Sequence, residues 1–349
     1  MRAQPDDPAM LQETRQFPEV AARQLRENRA SVAELAGAIG RHPPAFAVTL
    51  ARGSSDHAAT FWKYALEIQL GLPTLSAAPS VVTLYRRQPR LAGALAVAIS
   101  QSGASPDLIE TLAAAGRAGA LTVAVVNDPE SELAAQAQWV LPMWAGPERA
   151  VAATKSYLAS LLAATQLCAA LGEDPGLRAA LSGLPERAAQ TLGLEALAAA
   201  HAERYRYAEV FSVLGRGLHL GIAQEAALKL KETSGLHAEA FSSAEFAHGP
   251  VRLIEPGHPV LGLLGRDATG PSTLASYREL ASRGAELIAV GAEPDFPAAL
   301  QLTTPAGGHP LADPLLSGLA TYLLAGHVAL ARGMDPDAPP ALHKVTKTR

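Results

Sequence analysis

Two polar runs directly follow apolar segments that read as buried strands. The first is Arg52-Gly53-Ser54-Ser55, and the second is Ser100-Gln101-Ser102-Gly103-Ala104-Ser105, which ends just before Pro106. Serine hydroxyls and the free N–H groups at a helix start can bind a phosphate without a lysine. The second run therefore predicts a phosphate site. A serine–glycine turn that only caps the next helix is the alternative that spacing leaves open.

Charged residues of a second kind lie on one predicted helix face. Glu225, Lys229 and Glu232 are spaced at i, i+4 and i+7, and a loop-like stretch, 233–250, follows them. That stretch contains two histidines and two glutamates, at His237, Glu239, Glu245 and His248. This density of titratable groups favours acid–base catalysis on a small polar substrate. The alternatives are a solvated charged helix face and a metal site, although no H-E-x-x-H spacing is present.

The elements that must position these residues alternate between strand and helix, twice over. Apolar runs at 45–50, 94–99, 121–126 and 140–144 predict strands of a first sheet, and those at 209–214, 259–264 and 286–290 a second. Helical patterns separate them. The stretches 50–67 and 214–231 resemble each other at an offset of 164 residues. The predicted fold is α/β, with two doubly wound, flavodoxin-like parallel-sheet domains related by internal duplication.

Four regions follow from this pattern. An N-terminal helical arm at 1–43 precedes a first domain at 44–190 and a second domain at 200–333, and a basic tail occupies 334–349. Two domains also fit the length, since ~100–200 residues per domain is usual. In such sheets, ligands bind beyond the carboxyl ends of the strands, which is where both polar runs lie.

Composition excludes several classes of protein. The 349 residues are 48% hydrophobic and 18% charged with net charge −4, which argues against disorder and against nucleic acid as a main partner. The single cysteine, Cys168, rules out a disulfide framework. The most apolar stretch, 156–172, has 17 residues, which are too few to span a bilayer. With no export signal visible, the expected location is cytoplasmic.

The ordered motifs resemble a known family. RGSS, SQSG, the run VAATKS at 151–156, EAALKLKE, HAEAFSSAEFAHGP and a lysine near the C-terminus resemble the sugar isomerase (SIS) superfamily. The likeness is to its double-SIS form, found in the isomerase half of glucosamine-6-phosphate synthase. Within that group the chain most resembles stand-alone glucosamine-6-phosphate deaminases. The 44 residues before the first strand are too few for the synthase's glutaminase domain, so no internal ammonia supply from glutamine is expected.

The resemblance implies a role for each matched residue. Phosphate binding falls to Ser100, Gln101, Ser102 and Ser105. Contacts with the sugar fall to Ser55, Val151 and Thr154. Glu232 matches the carboxylate that moves a proton between C1 and C2, and its helical neighbours are Glu225 and Lys229. His248 matches a ring-opening histidine supplied by the neighbouring subunit, and Lys344 a tail lysine that forms a Schiff base in the synthase.

The resemblance implies a homodimer that acts on a sugar phosphate without a metal or organic cofactor. Neither nucleic acid nor a membrane is expected as a partner. The leading expectation is that D-glucosamine 6-phosphate and water give D-fructose 6-phosphate and ammonia. Alternatives are a phosphosugar isomerase, a deglycase acting on another aminated sugar phosphate, and a non-catalytic SIS regulator that binds sugar phosphates. The sequence departs from the synthase pattern at four positions, which are Arg52, Ala104, Ala153 and His343.

Overall fold

The computed structural model describes residues 7–172 and 174–344, and these divide into two compact units. The first unit comprises 19–148, 155–182 and 343–344. The second unit comprises 7–18, 149–154 and 183–342. The units therefore interleave along the chain, whereas the domain ranges expected from the sequence are continuous. Met1–Asp6 of the predicted arm and Val345–Arg349 of the predicted tail lie outside the described residues.

Strands and helices alternate along most of the chain. The strands are β1 Phe46–Leu50, β2 Thr74–Ser76, β3 Ala94–Ser100, β4 Leu121–Val126, β5 Trp139–Pro142, β6 Val210–Gly215, β7 His237–Ser242, β8 Pro259–Leu264, β9 Glu286–Gly291 and β10 Leu300–Thr303. The helices are α1 Ala9–Arg15, α2 Phe17–Glu27, α3 Arg29–Arg41, α4 Ser54–Leu70, α5 Pro79–Thr83, α6 Pro106–Arg117, α7 Glu132–Ala135, α8 Lys155–Leu171, α9 Pro175–Ser182, α10 Leu184–Leu192, α11 Glu195–Ala202, α12 Leu220–Ser234, α13 Ser243–Phe246, α14 Gly270–Ser282 and α15 Asp313–Ala331.

The sheet of the first unit has the order β2-β1-β3-β4-β5, and its neighbouring strands are parallel. All seven residues of the central strand β3 are buried. A parallel sheet is covered by helices on both faces, which explains why its strands read as unbroken apolar runs. The core on one face joins β3 to Leu108 and Leu112 of α6. This packing fixes the start of α6 beside the end of β3.

The sheet of the second unit repeats that arrangement. Its order is β7-β6-β8-β9-β10, again parallel, so each strand occupies the place of its counterpart in the first sheet. Strand β6 begins 164 residues after β1, at the offset seen in the sequence. The predicted fold class, two doubly wound parallel-sheet domains related by duplication, is confirmed.

The stretch after α12 differs from its prediction as a loop. Residues His237–Ser242 form the edge strand β7, paired in parallel with β6 from Val210 opposite His237 to Gly215 opposite Ser242. Its side chains alternate at the start, with Ala238 buried between exposed His237 and Glu239. Such alternation is typical of a half-buried strand, whereas a high density of titratable groups is also compatible with a loop. Strands β2 and β10 were also not predicted.

Helix α15 corrects the membrane argument made from sequence. Among the described residues it is the helix long and apolar enough to cross a membrane, with 19 residues and mean hydropathy 1.4. It is also longer than the stretch 156–172, which the sequence indicates as the most apolar. Of the most apolar part of this helix, 83% is buried inside the protein. The helix packs in the second unit, where Leu11 of α1 lies so close to Gly326 that a Cβ there would meet its side chain at 2.6 Å.

Candidate active site

The predicted phosphate loop, Ser100–Ser105, links β3 to α6 in the first unit. Pro106 is the first residue of α6, as predicted, because its missing N–H costs nothing there. Gly103 has φ +61°, and a Cβ on it would lie 2.1 Å from the Ser131 hydroxyl oxygen. Only glycine fits this close approach. The loop is therefore a fixed turn and not merely a polar linker.

Hydroxyl groups of the phosphate loop bond to its own backbone. The Gly103 N–H donates to Ser100 Oγ at 3.1 Å, and the Ala104 N–H donates to Ser102 Oγ at 3.3 Å. A hydroxyl that accepts such a bond still has its own proton to donate. Ser105 occupies the N-cap position of α6, yet its side chain makes no capping hydrogen bond. This arrangement favours the anion-binding interpretation of the loop over the alternative of a simple cap.

The other strand-end run lies beside this loop. Leu50 of β1 pairs with Ala98 of β3, so Arg52 and Ser100 follow the ends of neighbouring strands at the same level. Arg52 Nε donates to the buried carboxylate of Asp107 at 2.9 Å. Gly53 has φ +54°, and half-buried Ser55 lies in the first turn of α4. Ser55 thus borders the same sheet edge as the phosphate loop.

In the second unit, Glu225, Lys229 and Glu232 form an ion-paired group on α12. Lys229 Nζ lies 2.5 Å from Glu232 Oε2 and 3.3 Å from Glu225 Oε1. The hydroxyl of Tyr322 on α15 donates to Glu225 Oε1 at 3.1 Å. The side chains of Lys229 and Glu225 are 1% and 2% exposed, whereas Glu232 is 23% exposed. The alternative of a solvated charged face is therefore wrong for this helix.

Charge balance within this group depends on Lys229. Burial opposes the charge of its ammonium, but the carboxylates of Glu225 and Glu232 outweigh burial and raise the pKa of Lys229 above its usual value. A permanently charged lysine holds the Glu232 carboxylate in place at one oxygen. The exposed part of Glu232 remains accessible, so a fixed and reachable carboxylate results, as proton transfer requires.

A cavity of about 720 Å³ adjoins Glu232 in the second unit. Its size falls within the range of ~300–1,000 Å³ that is usual for small-molecule sites. It is bounded by the end of α12 and by the segment after α15, and its lining residues are Lys231, Glu232, Thr233, Gly235, Gly333, Met334, Asp335, Ala338, Pro340 and Leu342. Glu232 can therefore meet a ligand of sugar size.

None of the histidines and glutamates that follow α12 shares a hydrogen bond or ion pair with Glu232 in the described part of the chain. His248 is exposed, two residues beyond α13, and its backbone N–H donates to the Glu245 carbonyl at 3.0 Å. No hydrogen bond or ion pair among the described residues joins His248 to the group on α12. In the described part of the chain, no three His, Cys, Asp or Glu side chains form a group that could hold a metal ion. That result covers His237, Glu239, Glu245 and His248, the candidates named from sequence.

Glu148 is a functional candidate that the sequence reasoning missed. Its buried carboxylate, in the first unit, accepts hydrogen bonds from the Ser156 amide at 3.1 Å and hydroxyl at 2.7 Å. It also pairs with Lys344 Nζ at 2.8 Å. The partly exposed tail lysine predicted from resemblance is thus held by a specific acid. The signal in the sequence is the position of Glu148, three residues before the predicted pocket residue Val151.

The run Val151–Thr154 is held in the second unit by partners far away in sequence. Glu13 of α1 accepts from the N–H groups of Arg149 and Ala150. The Val151 N–H donates to the Asp337 carbonyl at 2.9 Å. The carboxylate of Asp337 in turn accepts from the first amides of α1, at Ala9 and Met10. Thr154 is buried and Val151 is half-buried. The backbone at the start of this run is therefore held by both Glu13 and Asp337.

Two parallel sheets of identical order, each with polar loops at its carboxyl edge, define an α/β protein built from a duplicated unit. The SIS-domain pattern matches residues 47–170 and again 208–332. The chain belongs to the SIS family, in its two-domain form.

Known proteins of similar sequence and structure fit this assignment. The glutamine–fructose-6-phosphate aminotransferase of Symbiobacterium thermophilum is 36% identical over 309 residues, covering 84% of this chain and 50% of the relative. The chain thus spans about half the length of such curated relatives. A crystal structure from Silicibacter pomeroyi DSS-3, named provisionally as a phosphosugar isomerase, is 40% identical with a TM-score of 0.88, covering 95% of this chain and 100% of that one. The C-terminal domain of the Francisella tularensis glucosamine-fructose-6-phosphate aminotransferase is 27% identical with a TM-score of 0.84, covering 95% and 98%.

Proposed function

We propose that this chain is a phosphosugar isomerase that works as a glucosamine-6-phosphate deaminase. It converts D-glucosamine 6-phosphate and water into D-fructose 6-phosphate and ammonia. One observation carries the proposal. The carboxylate of Glu232 is partly exposed, borders a cavity and is fixed by an ion pair with the buried Lys229. Membership in the SIS family and likeness to isomerase domains of synthases support a sugar phosphate as the substrate.

In the proposed reaction each group has one task. The phosphate loop binds the phosphate as a remote handle, which orients the sugar and contributes binding energy. His248, supplied by the partner in a homodimer, moves the proton that opens the ring, because a histidine exchanges protons near neutral pH. Glu232 takes the proton from C2 of the open-chain aldose and returns it to C1. The resulting ketose imine adds water at C2, and ammonia leaves.

Lys344 has a different part in this proposal from the one a Schiff base would require. A Schiff base needs the Lys344 nitrogen free to reach a carbonyl. Here Lys344 Nζ is held at 2.8 Å by the buried carboxylate of Glu148. We assign Lys344 to binding of the open-chain sugar, with Glu148 as the acid that positions it. Trapping with borohydride during turnover tests this, because a covalent role would leave a reduced adduct on Lys344.

A phosphosugar isomerase acting on a substrate without nitrogen is the second candidate. The provisional name of the Silicibacter pomeroyi protein, at 40% identity, favours it. Both reactions need the same proton transfer between C1 and C2, so the acid–base residues do not separate them. The difference lies in the group at C2 and in whether water completes the reaction. A cytoplasmic location accompanies either proposal.

The deciding experiment incubates the purified chain with a panel of phosphosugars. Ammonia is measured by reductive amination coupled to NADH, and ketose formation by a separate assay. Ammonia release from glucosamine 6-phosphate, lost in Glu232→Gln, would support deamination. Aldose–ketose conversion without ammonia would favour the second candidate. Binding of phosphosugars with no turnover of any of them would make the chain a sensor and refute both enzymatic proposals.

A further inference from the structure

We infer that Arg52 binds the substrate's phosphate together with the phosphate loop. It does so through the two outer nitrogens of its guanidinium. The inference rests on the proposed function, in which that loop binds a sugar phosphate. It adds a charged group to the phosphate site, because Ser100–Ser105 itself contains no charged residue. It also gives Asp107 a task, because this buried acid becomes the residue that aims Arg52.

Strand register brings Arg52 to the loop. Leu50 and Ala98 are partners in the parallel pair β1–β3, so Arg52 and Ser100 leave the sheet side by side. Asp107 lies two residues after Ser105, in the first turn of α6. The 2.9 Å contact between Arg52 Nε and Asp107 Oδ2 therefore fixes the guanidinium at the helix start that the phosphate loop precedes.

Exposure leaves the outer end of Arg52 within reach of a ligand. The Asp107 side chain is fully buried, whereas the Arg52 side chain is 47% exposed. The contact with Asp107 uses Nε, and a guanidinium has two further nitrogens in a rigid fork that matches phosphate oxygens. The pair also stabilises the fold, because it compensates the buried carboxylate of Asp107. That role does not use the two outer nitrogens, which remain for a ligand.

The charge of the loop gives a second reason. Residues 100–107 contain no lysine or arginine, and their one charged residue is the acid Asp107. A phosphate brought to this helix start would meet hydroxyls and amides but also a nearby negative charge. Arg52 offsets the charge of Asp107 and brings two further guanidinium nitrogens to the same place. Arginine contacts with phosphate are charge-assisted and stronger than those between neutral groups.

The test measures inorganic phosphate binding by calorimetry, with no turnover required. Arg52→Gln keeps a polar side chain but loses the charge and is expected to raise the dissociation constant about ten- to a hundredfold. Arg52→Lys keeps the charge without the fork and is expected to lie between this variant and the wild type. The control is Arg86→Gln, because Arg86 pairs with Glu110 on the same helix α6 but away from its start. It is expected to bind as the wild type does.

Kinetics then separates this inference from the proposed function. If the chain turns over glucosamine 6-phosphate, Arg52→Gln should raise KM far more than it lowers kcat. A wild-type chain that turns over no phosphosugar defeats the proposed function, while the phosphate titration still decides the role of Arg52. Phosphate affinity in Arg52→Gln within about twofold of the wild type would overturn the inference, as would a wild-type chain that binds no phosphate at millimolar concentration.

Discussion

Replacing Glu232 by glutamine is the most direct test of the proposed chemistry. The amide has the same shape as the carboxylate but cannot take a proton from carbon. Loss of a positioned acid–base group lowers rates by about 10²- to 10⁴-fold, so kcat should fall by that factor. Phosphosugar affinity should stay within about tenfold, because the variant removes a transition-state role and leaves the phosphate loop untouched.

The surroundings of Glu232 indicate that this variant keeps its fold. The glutamine oxygen can still accept a hydrogen bond from Lys229 Nζ, and Lys229 keeps its second carboxylate, Glu225, at 3.3 Å. The bond keeps one charged partner, the Lys229 ammonium, so the change costs about 1 kcal/mol, which is less than the ~1.5–3 kcal/mol that a hydrogen bond to a charged group contributes. Glu232 is 23% exposed, so screening by water reduces this cost in stability further. A modest decrease in melting temperature is expected, not unfolding.

The assay compares steady-state ammonia release with binding of the substrate analogue glucitol 6-phosphate. The matched control is Glu239→Gln, which removes an exposed carboxylate on the neighbouring strand β7 and should leave kcat unchanged. Unchanged kcat in Glu232→Gln would refute the assignment of proton transfer to this residue. A loss of kcat accompanied by an equal loss of analogue binding would point to a binding role instead.

Three further predictions concern other parts of the chain. Ser102→Ala should raise KM more than it lowers kcat, because we propose that the Ser102 hydroxyl binds the substrate's phosphate. A change in kcat alone would contradict this. Asp337→Asn should destabilise the protein by about 1–3 kcal/mol in urea unfolding. The Ala9 and Met10 amides bond to different oxygens of the carboxylate, at 2.7 and 2.8 Å, and asparagine replaces one of these acceptors by an NH2 group. Unchanged stability would show that this cap is unimportant. Burial raises the pKa of the Cys168 thiol to about 12, so the thiolate is scarce below that pH, and a disulfide reagent at about pH 8 should modify Cys168 only after unfolding.

The parts of the site that could be predicted from sequence are those built by neighbouring residues. The turn Ser100–Ser105 lies between an apolar strand and a helix that starts with proline, so its location at the sheet edge follows from local signals. The shared face of Glu225, Lys229 and Glu232 follows from helical spacing alone. Their burial does not, because Tyr322, which bonds to Glu225, lies 97 residues further on.

Long-range pairs explain what the sequence reasoning missed. Glu148 and Lys344 are 196 residues apart, and Asp337 and Ala9 are 328 apart. No spacing rule connects residues at such distances, and one sequence carries no information on which pairs meet. The edge strand β7 was missed for another reason. Its polar residues are compatible with a half-buried edge strand as well as with a loop, and only the pairing with β6 distinguishes the two.

Duplication produced two similar sheet edges, and their loops differ in how their polar groups are used. After β8 the second unit has Gly265-Arg266-Asp267, at the place that the phosphate loop occupies after β3. There Arg266 bonds to Asp313 and to backbone carbonyls, and the Asp267 carboxylate accepts from the amide and hydroxyl of Thr269 at the start of α14. A carboxylate of the protein itself thus lies where an anion would approach, and it repels a second negative charge. In the first unit the acid at the helix start is instead paired with Arg52. We therefore expect anion binding at the first edge, where Arg52 offsets the charge of the acid, and not at the second.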